Sequence, residues 1–222
     1  MDLHKKEIRK KRAEEIIKIL RKLYPDSKTE LNYSNNWELL VAVILSAQCT
    51  DKRVNEVTKT LFKKYKTLDD YIGATKEEFE QDIRPTGFYR NKAKNILAAA
   101  QVVENDFNGK IPKTIEEMLT VPGVARKTAN VVLGNAYGIY EGIAVDTHVR
   151  RLALRFDLTD YKDPIRIERD LMEIIPKADW QYVNHQMVMY GRYMCTARKH
   201  DCTEHPLTLI YPGANNIWPK SH

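Results

Sequence analysis

Apolar residues recur at helical spacing along almost the whole chain, and no run of strict alternation marks a β-strand. Val54, Val57, Leu61, Phe62 and Tyr65 share one face. The longest pattern joins Ala93, Ile96, Leu97, Ala100, Val103 and Phe107. Val149, Leu152, Ala153 and Phe156 form a third stripe, and Val183, Met187, Tyr190 and Met194 a fourth. Helix starts are signposted: Thr67–Asp70, Thr75–Glu78 and Thr114–Glu117 read as capping boxes or close variants, and Asn35–Asn36 can cap the apolar run that follows. Turns are marked at Gly73, Pro85–Gly87, Asn108–Gly109, Pro122–Gly123 and Gly142. Helices joined by such short connections predict a compact all-α assembly. From His200 to His222 the period stops; three prolines, one glycine and two adjacent asparagines predict an irregular packed tail or a partly disordered one.

A chain of 222 residues is long enough for one or two domains with a real core. The formal net charge of +6 favours a polyanionic partner. The N-terminus is polar, without an apolar h-region, so no secretory signal is expected, and the apolar run Leu39–Leu45 is too short to span a bilayer. Three cysteines, Cys49, Cys195 and Cys202, suit reduced thiols in a cytoplasmic protein better than a disulfide framework.

The most telling chemistry lies between Leu119 and His148. Leu119, Val121 and Val124 flank Pro122–Gly123, with helical patterns on both sides, so the segment reads as helix–hairpin–helix. Gly123 supplies a positive φ, and the second helix opens with N–H groups that its own backbone cannot satisfy. Such a turn can hold a DNA phosphate through backbone donors and the helix dipole, without reading sequence. Lys127 would sit in the first turn of that helix. The positive helix end and neighbouring Arg126 disfavour its ammonium form, and the neutral amine could attack a sugar C1′ to form a Schiff base. A phosphate-binding lysine is the competing reading. Asp146, before Thr147 and His148, suits an N-cap. Capping would also hold its carboxylate ionised and rigid, ready to stabilise positive charge on a sugar losing its base or to take a proton from the amine.

Taken together these residues resemble the endonuclease III family of helix–hairpin–helix DNA glycosylases. The supporting runs are Leu39–Gln48 with Thr50–Asp51, Gly87–Tyr89 with Lys92–Ala93, Lys127–Leu133, Val145–His148 and Tyr190–Cys195. The resemblance covers roughly residues 7–202. It implies two α-helical domains with a DNA-binding cleft between them: a six-helix barrel from 29–139 containing the hairpin, and a second helical domain from 1–28 with 140–222. By matching motifs, Lys127 is the implied Schiff-base lysine and Asp146 the catalytic aspartate. Gln48 is implied to fill the gap left by a flipped nucleotide, and Phe88 to wedge against the opposite strand. The physics agrees, because flipping costs a few kcal/mol that inserted side chains partly offset. Read alone, Gln48 is a helix-end residue and Phe88 a core residue. The remaining DNA contacts are expected from Val121, Gly123, Ala125, Arg126, Thr128, His148 and Arg192.

Two departures stand out. The family usually carries an iron–sulfur cluster on cysteines spaced C-x6-C-x2-C-x5-C. Here Cys195 and Cys202 keep the first spacing, but His205 and Tyr211 occupy the other two positions. Four thiolates are the normal holding set, so no iron–sulfur cluster and no other cofactor is expected. Zinc on Cys195, Cys202, His200 and His205 is disfavoured, because the spacing is unlike the usual structural fingers. Packing by Pro206, Leu207, Leu209, Ile210, Tyr211 and Trp218 would then brace the tail, with Arg192, Arg198, Lys199 and His200 offering charge to phosphates. The second departure is Ala125, where the hairpin often has glycine; a position needing positive φ would strain alanine, whereas the helix's first turn favours it, and the residue is expected there.

The resemblance implies a bifunctional DNA glycosylase and AP lyase of base excision repair, acting on oxidised pyrimidines. Its partner would be double-stranded DNA with damaged bases or abasic sites, bound by a cytoplasmic monomer without a membrane. A mismatch glycosylase and a noncatalytic helix–hairpin–helix module are the alternatives. The former often lacks the lysine, and the latter has no use for the pair Lys127 and Asp146.

Overall fold

A computed structural model describes residues 2–218; Met1 and residues 219–222 lie outside the described residues. Among the described residues there are α-helices, 3₁₀ turns and one π-turn, and no strands. The helices are α1 (Leu3–Leu23), α2 (Asn36–Leu45), α3 (Asp51–Lys64), α4 (Leu68–Ile72), α5 (Lys76–Ile83), α6 (Tyr89–Phe107), α7 (Ile115–Met118), α8 (Arg126–Tyr137), α9 (Thr147–Arg155), α10 (Pro164–Ile174), α11 (Trp180–Met189) and α12 (Pro206–Ile210). The chain divides into two compact units, Glu30–Ile139 and Met1–Thr29 with Tyr140–His222.

The unit over 30–139 is built around α2, whose residues Leu39–Leu45 are all buried. A helix apolar on every side has no solvent face, so it must become a core. Its start is specified locally: Asn35 accepts from the Glu38 N–H at 2.9 Å, and Glu38 reaches back to the Ser34 N–H at 2.7 Å. Val54 and Leu61 of α3 pack onto this core with Phe62 against it, as does the α6 stripe of Ala93, Ile96, Ala100 and Val103. The rings of Trp37, Tyr65, Tyr71 and Phe79 close one end, with centroids 5.2–5.8 Å apart. The five-residue α4 survives because Thr67 and Asp70 form a full reciprocal capping box. Thr75 and Thr114 also cap their helices, each accepting from the N–H three residues on. Asn108 and Gly109 end α6 in left-handed conformations, and Gly109 N–H returns to the Val103 carbonyl at 3.0 Å.

In the other unit α1 lays Ala13, Ile16, Ile17 and Leu20 against a core shared with α9, α10 and α11. Arg9 on α1 is fully buried yet charged. It bonds Asp157 at 2.6 Å and Asp160 at 2.8 Å, and takes the Asp157 carbonyl at 3.1 Å. The segment after His200 is more regular than its sequence suggests. Pro206 opens α12, and a 3₁₀ turn follows over Pro212–Asn216. Five residues cannot show a helical period, so periodicity missed them; burial of Leu207, Thr208 and Ala214 holds them instead. Ile210 and Tyr211 also pack on the core, whereas Leu209, expected there, is 64% exposed.

Candidate functional site

The hairpin joins α7 to α8 through residues 119–125. Met118, Val121 and Val124 are buried, and Val124 N–H closes the turn on the Val121 carbonyl at 3.1 Å. Gly123 sits at φ +81°, and a Cβ placed on it would come 2.8 Å from Asn95 Cβ. Glycine is therefore required twice, by backbone conformation and by the approach of α6. Ala125 is not inside the helix, as its residue type suggested. It is the N-cap, extended at φ −95° and ψ 169°. Neither strain nor helix propensity decides this position. Its consequence is that the N-cap residue of α8 offers no side-chain oxygen to the helix's first turn. Helix N-termini commonly use a Ser, Thr or Asp oxygen there, and leaving it out suits an anion supplied from outside. Lys127 is the second helical residue, half-buried between half-buried Arg126 and Thr128.

In the same unit Gln48 and Phe88 share an unusual property. Both are exposed, Phe88 by 67%, and both have left-handed backbones, at φ 51° and 48°. Asn108 and Asp157 also have positive φ, but those residue types tolerate it. A glutamine and a phenylalanine there cost on the order of 1–2 kcal/mol each. Phe88 is thus not the core residue that its side chain alone suggests. It stands at the N-cap of α6, turned outward. Both turns are held by a residue that the sequence reading named only as part of a matching run, without a role. Lys92 on α6 is 4% exposed, and its ammonium donates to the Leu45 and Thr86 carbonyls, each at 2.8 Å. The first bond fixes the end of α2 just before Gln48, and the second fixes the turn just before Phe88. Burial pushes the Lys92 pKa down. A signal was available, since Lys92 is four residues before Ile96, on the apolar stripe of its helix.

The second set of groups lies in the other unit. Asp146 is the extended N-cap of α9, and its Oδ1 accepts from the His148 and Val149 N–H groups, both at 2.8 Å. Both bonds fall on one oxygen, so the carboxylate is oriented while Oδ2 takes no hydrogen bond among the described residues. Burial lowers the His148 pKa, although Asp146 opposes the shift. His148 packs against Gly191, where an added Cβ would lie 2.9 Å from its Nδ1. Gly191 belongs to a π-turn over Tyr190–Met194, which also carries half-buried Arg192. Buried Arg151 ties that turn down, donating to the Gly191 carbonyl at 2.8 Å and the Cys195 carbonyl at 2.7 Å. Neither Gly191 nor Arg151 was anticipated as a positioning residue.

Further along, Arg155 is fully buried. Its Nη1 contacts Cys195 Sγ at 2.9 Å, its Nη2 contacts Cys202 Sγ at 2.7 Å, and its Nε donates to the Ala214 carbonyl at 3.0 Å. The indole of Trp218 lies on it at 3.7 Å. Trp218 thus covers a cation, not the apolar core it was expected to extend. The donor set here does not fit a four-thiolate cluster: two sulfurs share one guanidinium, and the other two positions of the spacing are His205 and Tyr211.

Known proteins resemble the chain throughout. Residues 41–177 match the family described as "HhH-GPD superfamily base excision DNA repair protein". The chain is 50% identical to endonuclease III of Synechocystis sp. over 212 residues, 96% of this chain and 97% of that one. It is 47% identical to endonuclease III of Bacillus subtilis over 189 residues, covering 85% and 86%. A non-covalent endonuclease III–DNA complex superposes with a TM-score of 0.88 at 44% identity, covering 93% of this chain and 97% of that one. A trapped endonuclease III–DNA covalent intermediate gives 0.89, with the same identity and coverage.

Proposed function

The chain belongs to the endonuclease III family of HhH-GPD base excision repair proteins, and from that membership we propose a role for each part of its site. The protein is a bifunctional DNA glycosylase and AP lyase that removes oxidised pyrimidines. Its partner is double-stranded DNA carrying a damaged base or an abasic site, met in the cytoplasm and bound by a monomer.

The hairpin at Val121, Gly123 and Ala125 grips a phosphate through the uncapped end of α8, with Arg126 and Thr128 beside it. His148 and Arg192 add contacts from the other unit. Gln48 and Phe88 enter the stack where the nucleotide has left. The Lys127 amine attacks C1′, and the C1′–base bond breaks with its electron pair leaving on the base, which takes up a proton; once the amine has given up a proton, its lone pair opens the C1′–O4′ bond, and O4′ takes up a proton to become a hydroxyl. The resulting iminium acidifies the C2′ hydrogen; removing it expels the 3′ phosphate and cuts the strand. Water then releases Lys127. Asp146 stabilises the positive charge at C1′ and takes the proton the amine gives up.

The observation that carries this reading is the position of Lys127 in the first turn of a helix whose N-cap residue, Ala125, has no side-chain cap to offer, directly after the glycine turn. Borohydride trapping on an abasic duplex tests it. The native protein gives a covalent adduct, and Lys127→Gln gives none while still binding the duplex. Unchanged trapping by Lys127→Gln, or loss of binding with the fold intact, refutes the assignment.

A further inference from the structure

The donor set that cannot hold a four-thiolate cluster is not chemically idle. Cys195, His200 and His205 present one sulfur and two ring nitrogens that all lie within 4.8 Å of one another. The sequence spacing spoke against such a grouping, and the fold produces it by turning the chain between Cys195 and α12. Each of the two rings also has one nitrogen buried without a partner among the described residues. His200 Nδ1 is 2.7 Å from the Arg198 carbonyl, which can only accept, so in the neutral ring Nδ1 carries the proton and Nε2 offers its lone pair. His200 Nε2 is buried and takes no hydrogen bond among the described residues. The same holds for His205 Nδ1. The two rings face each other with centroids 5.1 Å apart. Buried polar atoms normally find partners, and orphaned lone pairs beside a thiol call for a cation.

We propose that Cys195, His200 and His205 form a mononuclear divalent-metal site of the zinc type, with the fourth position taken by water. A mixed thiolate and imidazole set suits a borderline-soft ion without redox chemistry. Ligand bonds of ~2.0–2.3 Å bring the three donor atoms to ~3.3–3.8 Å apart, a closure of about an ångström that side-chain rotations supply. Arg155 completes the design from behind. Its Nη1 lies 2.9 Å from Cys195 Sγ and fixes the sulfur's orientation, as donors behind metal ligands do. His200 also lines an open hollow with Lys199, Asp201, Thr203, Asn215 and Trp218, through which an ion reaches the site. Bound metal would tie the π-turn to α12 and close the tail onto its unit.

The test uses the full chain, purified without a metal-affinity tag and dialysed against a weak chelator. Elemental analysis is expected to find about one zinc per chain. Cobalt exchange is expected to give visible bands of tetrahedral intensity and a thiolate charge-transfer band in the near ultraviolet. His205→Gln and His200→Gln should each weaken zinc at least about tenfold, and Cys195→Ser should remove the charge-transfer band. If Cys195→Ser fails to fold, the two histidine variants decide the matter, with circular dichroism confirming their helices. Zinc that dialyses freely from the native protein overturns the proposal. So does zinc retained undiminished by both histidine variants, or stoichiometric iron with broad visible absorption.

Discussion

Lys92→Met isolates the positioning of the two inserted side chains from their chemistry. Methionine keeps the buried stem and removes the ammonium that joins the Leu45 and Thr86 carbonyls. Two buried acceptors lose charged donors, at about 1–3 kcal/mol each. Against this, the depressed Lys92 pKa shows that burial already disfavours the charge, and its removal returns part of the cost. The net loss of stability should be about 1–3 kcal/mol, measured by urea denaturation. The functional loss should be larger. Gln48 and Phe88 sit in left-handed turns that this ammonium holds, and a relaxed turn no longer presents them. Weakening their offset of the flipping cost by about 1.4–2.8 kcal/mol slows base release about 10–100-fold. Single-turnover excision from a lesion duplex measures this, at a urea-free temperature where the variant is fully folded. Gln48→Ala and Phe88→Ala, alone and combined with Lys92→Met, complete the cycle. Strong non-additivity is expected, because the lysine acts through both residues. Full additivity, or excision unchanged in the folded variant, would refute the reasoning.

Gly123→Ala faces both a forbidden φ and a contact at 2.8 Å. It should cost at least about 1–3 kcal/mol and weaken DNA binding uniformly across sequences, read by thermal melts and fluorescence anisotropy. Binding by the native chain should fall steeply with salt, and a flat dependence would remove the phosphate grip. Asp157 is held below the usual carboxylate range: burial alone would raise it, but hydrogen bonds from Arg9 and Arg12 prevail. Asp160 is lowered mainly by its bonds to Arg9 and Lys5. A depressed carboxyl stabilises the fold above its unfolded pKa of about 3.9 and loses that contribution as pH falls through its folded value. Stability should therefore drop on acidification below about pH 4, and Asp157→Asn should flatten that slope. The purified protein should be colourless near ~400 nm, since Cys195, Cys202, His205 and Tyr211 are a poor iron–sulfur set; a brown, iron-loaded sample contradicts this.

The helical nature of the chain and most of its helix starts were legible without coordinates. Periodicity and capping are short-range, and Thr67, Thr75, Thr114, Asn35 and Asp146 all cap helices in the structure. The glycine turn before Lys127 was legible for the same reason, because a positive φ leaves its mark on one residue type. Other features were decided only by contacts between residues distant in sequence. Lys92 lay on an apolar stripe, a hint of burial, but its partner came only when Leu45, far behind it, supplied a carbonyl. Phe88 looked like core until the backbone turned it outward. Arg155 lay beside an apolar stripe with no hint of two sulfurs in its reach, and His200 and His205 lacked a recognisable metal spacing. Local rules govern which bonds a residue makes to its own helix. Only the folded chain brings a buried charge to the carbonyl, thiol or imidazole that makes its burial possible.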